Sequence, residues 1–199
     1  MKSLSICAGL AALAISFASS DATLAANANG PHILVIDRRA LIQSSKLGQN
    51  IQQQLMAYGQ KMQSEFGPES QALQNEQQGL DKLPKAERAK RAEALQTKQN
   101  AFQQKVHDRQ TLVQGGQAAA RKFFMDQVDG VVHGLMSERG ADAVLDKSTV
   151  VASANGTDIT KEIVQRLDKK APSFKVPLVK PSMQDMLQMQ SSAMQQGQQ

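Results

Sequence analysis

Three histidines, one basic run and one pair of glycines are the positions best equipped for chemistry in this sequence. His32, His107 and His133 could ligate a metal or carry a proton, since imidazole titrates near neutrality, but they are far apart in sequence and share no carboxylate cluster at ligand spacing. His107 stands beside Asp108 and reads as a solvated helix face. Lys82, Lys85, Arg88, Lys90 and Arg91 crowd one short stretch; such cations could neutralise phosphates or attract an acidic partner, and the blander reading is again a solvated face. Gly115-Gly116 lacks the Lys and Ser/Thr of a phosphate loop, and no nucleophile elbow or paired-carboxylate pattern appears. Asn155-Gly156-Thr157 matches a glycosylation acceptor, but Asn-Gly ahead of a helix is more economically a turn. These residues argue against an enzyme and imply no catalytic residue, cofactor or metal.

The elements that carry them are shaped by a thin supply of apolar surface. The chain has 199 residues, a formal charge of +5, 4% aromatic residues, no Trp and one Tyr. Little apolar area can be buried per residue ordered, which favours an elongated or oligomeric form. Lys2, the apolar run over 4–17 and the small residues after it read as a secretory signal peptide over 1–28, cleaved near 25 or 28. The run is shorter than a membrane span. Cys7 is the only cysteine and leaves with that peptide, so the exported chain has no disulfide framework. Ile6 before Cys7 is too bulky for a lipoprotein cleavage box. Export without disulfides points to a bacterial envelope.

Residues 32–37 form a continuous apolar run rich in β-branched residues, which predicts a strand buried on both faces, followed by a short helix over 39–45. The next hundred residues are rich in Gln, Ala, Lys, Arg, Leu and Met and read as helix. Ile51, Leu55, Tyr58 and Met62, then Phe66, Leu73 and Leu80, keep a coiled-coil stripe with one stutter; Leu95, Phe102, Val106, Val113, Ala120, Phe124, Val128, Val131 and Leu135 continue the same face. Residues 141–146 and 149–152 are two strand-like runs around Lys147-Ser148 and predict a β-hairpin. A short amphipathic helix over 158–167, capped by Asp158 or Thr160, closes the domain. The segment 170–199, punctuated by Pro172, Pro177 and Pro181 and then Gln/Met-rich, is expected to be disordered.

Gly67-Pro68 and Pro84 compete to turn the long helical region, because an interior proline costs roughly 3 kcal/mol. If the first strand and the later hairpin share one sheet, the turn must lie near the midpoint of 40–140, which favours Pro84. Two arms of about 45 residues would then project roughly 65 to 70 Å, with Gly67, Pro68, Gly115 and Gly116 as hinge candidates. A body of 31–45 and 140–169 is small for such a tentacle over 46–139, and unpaired strand edges invite self-association. Ile33, Val35, Ile36, Val144, Leu145 and Val150 are the residues expected to build the assembly.

The pattern resembles the trimeric periplasmic chaperones of the Skp/OmpH family. The likeness rests on the exported N-terminus, residues 33–45, the Gln-rich helical hairpin, and residues 140–146 through 155–164, and it covers roughly 31–169. It implies an α+β, mostly α fold in which a small β-body assembles three subunits and the helical arms enclose a cavity. It also implies an ATP-independent periplasmic holdase that keeps unfolded outer-membrane proteins soluble for the insertion machinery. Scattered Met, Leu and Phe would give adaptable, weak contacts, and a basic arm tip would suit acidic clients or an anionic lipid or lipopolysaccharide surface. The family motif assigns no single client-contact residue, and the chain after Ala171 departs from it. A basic nucleic-acid-binding protein is the rival reading, opposed by the export signal and the scarcity of stacking aromatics. A rigid coiled-coil spacer is the other, opposed by Pro68 and Gly115-Gly116.

Overall fold

Strand β1 (Ile33–Ile36) is apolar throughout; Leu34, Val35 and Ile36 are buried, whereas Ile33 at its start is exposed. In this computed structural model, which describes residues 30–187 and 191, the unit that begins at Pro31 continues from β1 into helix α1 (Arg38–Ser44) and helix α2 (Lys46–Leu80). Helix α3 (Lys85–Arg139), strand β2 (Ala143–Asp146), a short 3-10 helix (Lys147–Thr149) and helix α4 (Thr160–Lys170) follow. The fold is α+β and mostly α, with a two-stranded sheet and long helices. The signal peptide expected over 1–28, with Cys7, lies outside the described residues.

Each break between helices has a local cause. Asp37 accepts from the Ala40 amide at 2.9 Å to start α1, and buried Ser45 accepts from the Gly48 amide at 3.1 Å to start α2. A Cβ on Gly48 would overlap the Ile42 carbonyl, so the turn between α1 and α2 requires glycine. Helix α4 completes this corner: Asp168 accepts from the Lys46 amide at 2.7 Å, and the Thr160 hydroxyl accepts from the Asp37 amide at 2.8 Å. At the far end α2 stops after Leu80, and the Lys82 and Leu83 amides bond back to Gly79 and Leu80. Pro84, which has no amide hydrogen to lose, precedes the first turn of α3. Gly140 ends α3 in the left-handed conformation at φ 60.

Helices α2 and α3 pack antiparallel as two arms of 35 and 55 residues, about 52 and 82 Å long at 1.5 Å per residue. The extra length of α3 enters the body. There Phe124, Val128, Val131, Val132 and Leu135 pack with Leu34, Ile36, Leu41, Leu47, Ile159, Ile163 and Leu167 in one core. A second, smaller core near the tip joins Leu73, Leu80 and Leu95 with Leu83, Ala92 and Phe102. Phe66 meets Phe102 edge to face, centroids 6.0 Å apart. Helix α2 runs through Gly67-Pro68, and α3 through Gly115-Gly116.

Two expectations are corrected. No β-hairpin forms over 141–152: β2 pairs parallel with β1, Ile33 opposite Ala143 through Ile36 opposite Asp146. The Lys147-Ser148 link has no glycine to supply the positive φ of a tight hairpin turn. Instead Asp146 accepts from the Ser148 amide at 2.9 Å and the Thr149 hydroxyl donates to the Asp146 carbonyl at 2.8 Å, winding the chain into 3-10 helix. The other edge of β1 is taken by the chain before α4, through Val35 N to Thr157 O and Ile159 N to Val35 O. The second correction concerns the described part of the 170–199 segment. Residues 171–182 lie docked along the arms, with Val176 buried and Phe174 stacked on Phe123 at 4.3 Å. Three prolines hold much of this stretch extended, which lowers the entropy lost on docking.

Candidate functional site

The sequence's basic run lies at the tip of the arms. Lys82, Lys85, Arg88, Lys90 and Arg91 are all exposed. Arg88 donates to the Asp81 and Leu83 carbonyls, each at 3.1 Å, and so braces the turn. The other four make no ion pair among the described residues and leave a positive end on the hairpin.

Behind the tip the arms are held by polar contacts as much as by apolar ones. Lys98 pairs with Glu76 at 2.7 Å, Lys105 with Glu69 at 3.0 Å and Arg109 with Glu65 at 2.9 Å, each base on α3 and each acid on α2. Exposed pairs of this kind contribute about 0 to 1 kcal/mol each. Between them lies an open groove of about 480 Å³ lined by Leu73 and Phe102 and otherwise mainly by glutamines, including Gln74, Gln77, Gln99 and Gln103. Such a surface offers small apolar contacts among flexible hydrogen-bonding groups.

The residues assigned to assembly divide into two sets. Val35 and Ile36 are buried within the subunit, whereas Ile33 and Leu145 are exposed, with Val144 and Val150 between. Val151, which the sequence placed inside a strand, is wholly exposed at 105%. The outer edge of β2 has no strand partner among the described residues, so exposed Leu145 sits on a free edge.

The body is ringed by ion pairs. Arg166 takes both oxygens of Glu138 at 2.6 Å and one of Glu162 at 2.8 Å, and Arg139 also pairs with Glu162. The Arg166 bond lowers the Glu138 carboxyl below its ordinary range. Hydrogen bonds from Thr160, then from Lys147 at 2.9 Å, hold Asp158 to about 2. The histidines stay apart: His32 Nδ1 bonds the Arg139 carbonyl at 2.9 Å, and His107 and His133 face solvent. No group of three His, Cys, Asp or Glu that could hold a metal occurs among the described residues.

Sequence reasoning missed the groove that receives residues 174–181. It is built by Asn50, Gln54 and Tyr58 of α2 with Phe123, Gly115 and Gly116 of α3. Gly115 and Gly116, taken from sequence as hinge candidates, are buried here under the docked segment, which comes so close that a Cβ on Gly115 would overlap the Val179 carbonyl and one on Gly116 the Pro177 carbonyl. The spacing of Asn50, Gln54 and Tyr58, one helical turn each, was the available signal.

The sequence matches the family described as outer membrane protein (OmpH-like) across residues 32–167, from the first strand into α4. The chain belongs to the OmpH-like family. A solved structure of similar fold comes from a Caulobacter crescentus CB15 protein described as an OmpH-like outer membrane chaperone. It is 22% identical with a TM-score of 0.66 and covers 78% of this chain and 94% of its own. No curated protein sequence matches the chain. For this OmpH-like protein the family match stops at residue 167, just before the docked segment begins.

Proposed function

We propose that this OmpH-like protein is a periplasmic holdase chaperone. It binds unfolded outer-membrane β-barrel proteins between the arms of a homotrimer, without nucleotide, until they are inserted. The observation that carries the reading is the family match over 32–167 on a fold whose arms reach far beyond the body core and bury only a small apolar cluster of their own. Arms with exposed Met56, half-buried Phe66 and Phe102 and many glutamines can hold an unfolded chain by many weak contacts and release it when it folds elsewhere. Exposed Leu145 on the free β2 edge, with Ile33 and Val151, would be covered by neighbouring subunits. The basic tip suits acidic client segments or anionic lipid, and the apolar run over 4–17 would direct export.

Light scattering of the exported protein, alone and with a urea-diluted β-barrel protein, tests this. A trimer that keeps the client soluble at near one client per trimer is expected. A monomer that leaves client aggregation unchanged would sink the reading, and tight, steeply salt-dependent DNA binding in its place would favour the nucleic-acid rival.

A further inference from the structure

The segment after α4 is held through its backbone polar groups as well as its apolar side chains. Phe174 N donates to Asn50 Oδ1 at 3.1 Å, and Gln54 Nε2 donates to Phe174 O at 2.6 Å. Val176 N donates to Gln54 Oε1 at 3.0 Å, and the Tyr58 hydroxyl donates to Val176 O at 2.7 Å. The amide and carbonyl of alternate residues along one edge are the groups a neighbouring β-strand would bond. Here three side chains, each one turn apart on α2, stand in for that strand, and the Gln54 amide both donates and accepts as a peptide unit does.

The side chains of the same residues enter apolar sites. Phe174 stacks on Phe123 with ring planes 17° apart. Val176 is buried against the bare backbone of Gly116, and Leu178 lines a cleft with Tyr58, Met62 and Val113. Lys175 between them is exposed. None of the four hydrogen bonds uses a side chain of the segment, so the groove accepts any extended stretch with an apolar residue at every second position. Strands of outer-membrane β-barrels carry that alternation.

We propose that this groove is a binding site for extended, apolar-polar alternating segments of unfolded β-barrel proteins, and that residues 174–178 occupy it in cis as a displaceable competitor. The proposal rests on the chaperone reading and assigns it one peptide subsite. The segment is tethered directly after α4, so its effective concentration is in the millimolar range, and a client segment must outcompete it. Weak or isolated segments are excluded, whereas a chain already held by the arms can enter. Affinity in trans falls by the fraction of time the groove is open.

The test uses the full chain and a labelled peptide of residues 171–182. Phe174→Ser with Val176→Ser releases the segment and leaves the groove intact. A second full-length variant, with residues 172–181 replaced by Gly and Ser, frees it without relying on point substitutions. Both should bind the peptide at least about tenfold more tightly than the unaltered chain, and Gly116→Ala added to either should abolish that gain. A scrambled peptide without alternation should not bind. Folded variants that bind the peptide no better than the unaltered chain would overturn the proposal. Failure of the two readings separates cleanly: retention of a β-barrel client without peptide binding removes the groove alone, and peptide binding without client retention removes the chaperone function.

Discussion

Replacing Gly116 by Ala should destabilise this protein, although the same change in a solvent-facing helix stabilises by about 1 kcal/mol. The added methyl would overlap the Pro177 carbonyl and lie 3.2 Å from Val176 Cγ1, so the docked segment must lift. Lifting it exposes Val176, worth about 2 kcal/mol, breaks four backbone hydrogen bonds at about 1 kcal/mol each, and separates the Phe123–Phe174 pair at about 1 kcal/mol. Five non-proline residues over 174–179 regain about 1 kcal/mol each of backbone entropy. The net loss is about 2 kcal/mol, reduced to about 1 by the better helix former. Thermal unfolding by circular dichroism should therefore fall by about 2 to 4 °C. Trypsin should cut after Lys175 faster than in the parent. Gly59→Ala, where nothing lies within 4 Å of the new Cβ, is the control and should raise stability. If Gly116→Ala stabilises as Gly59→Ala does while Lys175 stays protected, the close-approach argument is wrong.

Leu135→Ala, at a fully buried position in the body core, should cost about 2 to 5 kcal/mol in urea unfolding. Asp158 is held near 2 against an ordinary 3.8. Its contribution is therefore complete above about pH 4 and lost as pH falls towards 2. Because its side chain is 34% exposed, that contribution is about 1 kcal/mol after screening, and Asp158→Asn should flatten the acid limb of the stability profile. Leu145→Lys with Val151→Asp should leave the circular dichroism spectrum unchanged while reducing the mass seen by light scattering. Changing Lys82, Lys85, Arg88, Lys90 and Arg91 to Gln should weaken low-salt binding to anionic vesicles and leave the oligomer intact; unchanged binding would remove any role for the tip charge.

The helical period was legible because the same residues that repeat in sequence pack in space: Leu73, Leu80, Leu95 and Phe102 form the tip core, and Phe124, Val128, Val131 and Leu135 join the body. The partner of β2 was not legible. Residues 143–146 are strand-like in either direction, and their parallel pairing depends on Thr157–Ile159 taking the opposite edge of β1, a tertiary fact. The docked segment was hidden for another reason. Composition weighs Pro, Gln and Met equally along 170–199, whereas docking depends on Phe174, Val176 and Leu178 falling at every second position opposite two glycines. Gly115 and Gly116 look like weak points until the chain that crosses them is known.

The three ion pairs between the arms are spaced seven and then four residues apart along α3, at Lys98, Lys105 and Arg109. A heptad stripe of apolar residues tolerates a slide of seven, because Leu would again meet Leu or Phe. The charges do not tolerate it: such a slide puts Lys98 beside Glu69 but leaves Lys105 facing Met62 and Arg109 facing Tyr58. The uneven spacing thus works as a vernier. Two helices that part and close again would find full charge matching in only one alignment.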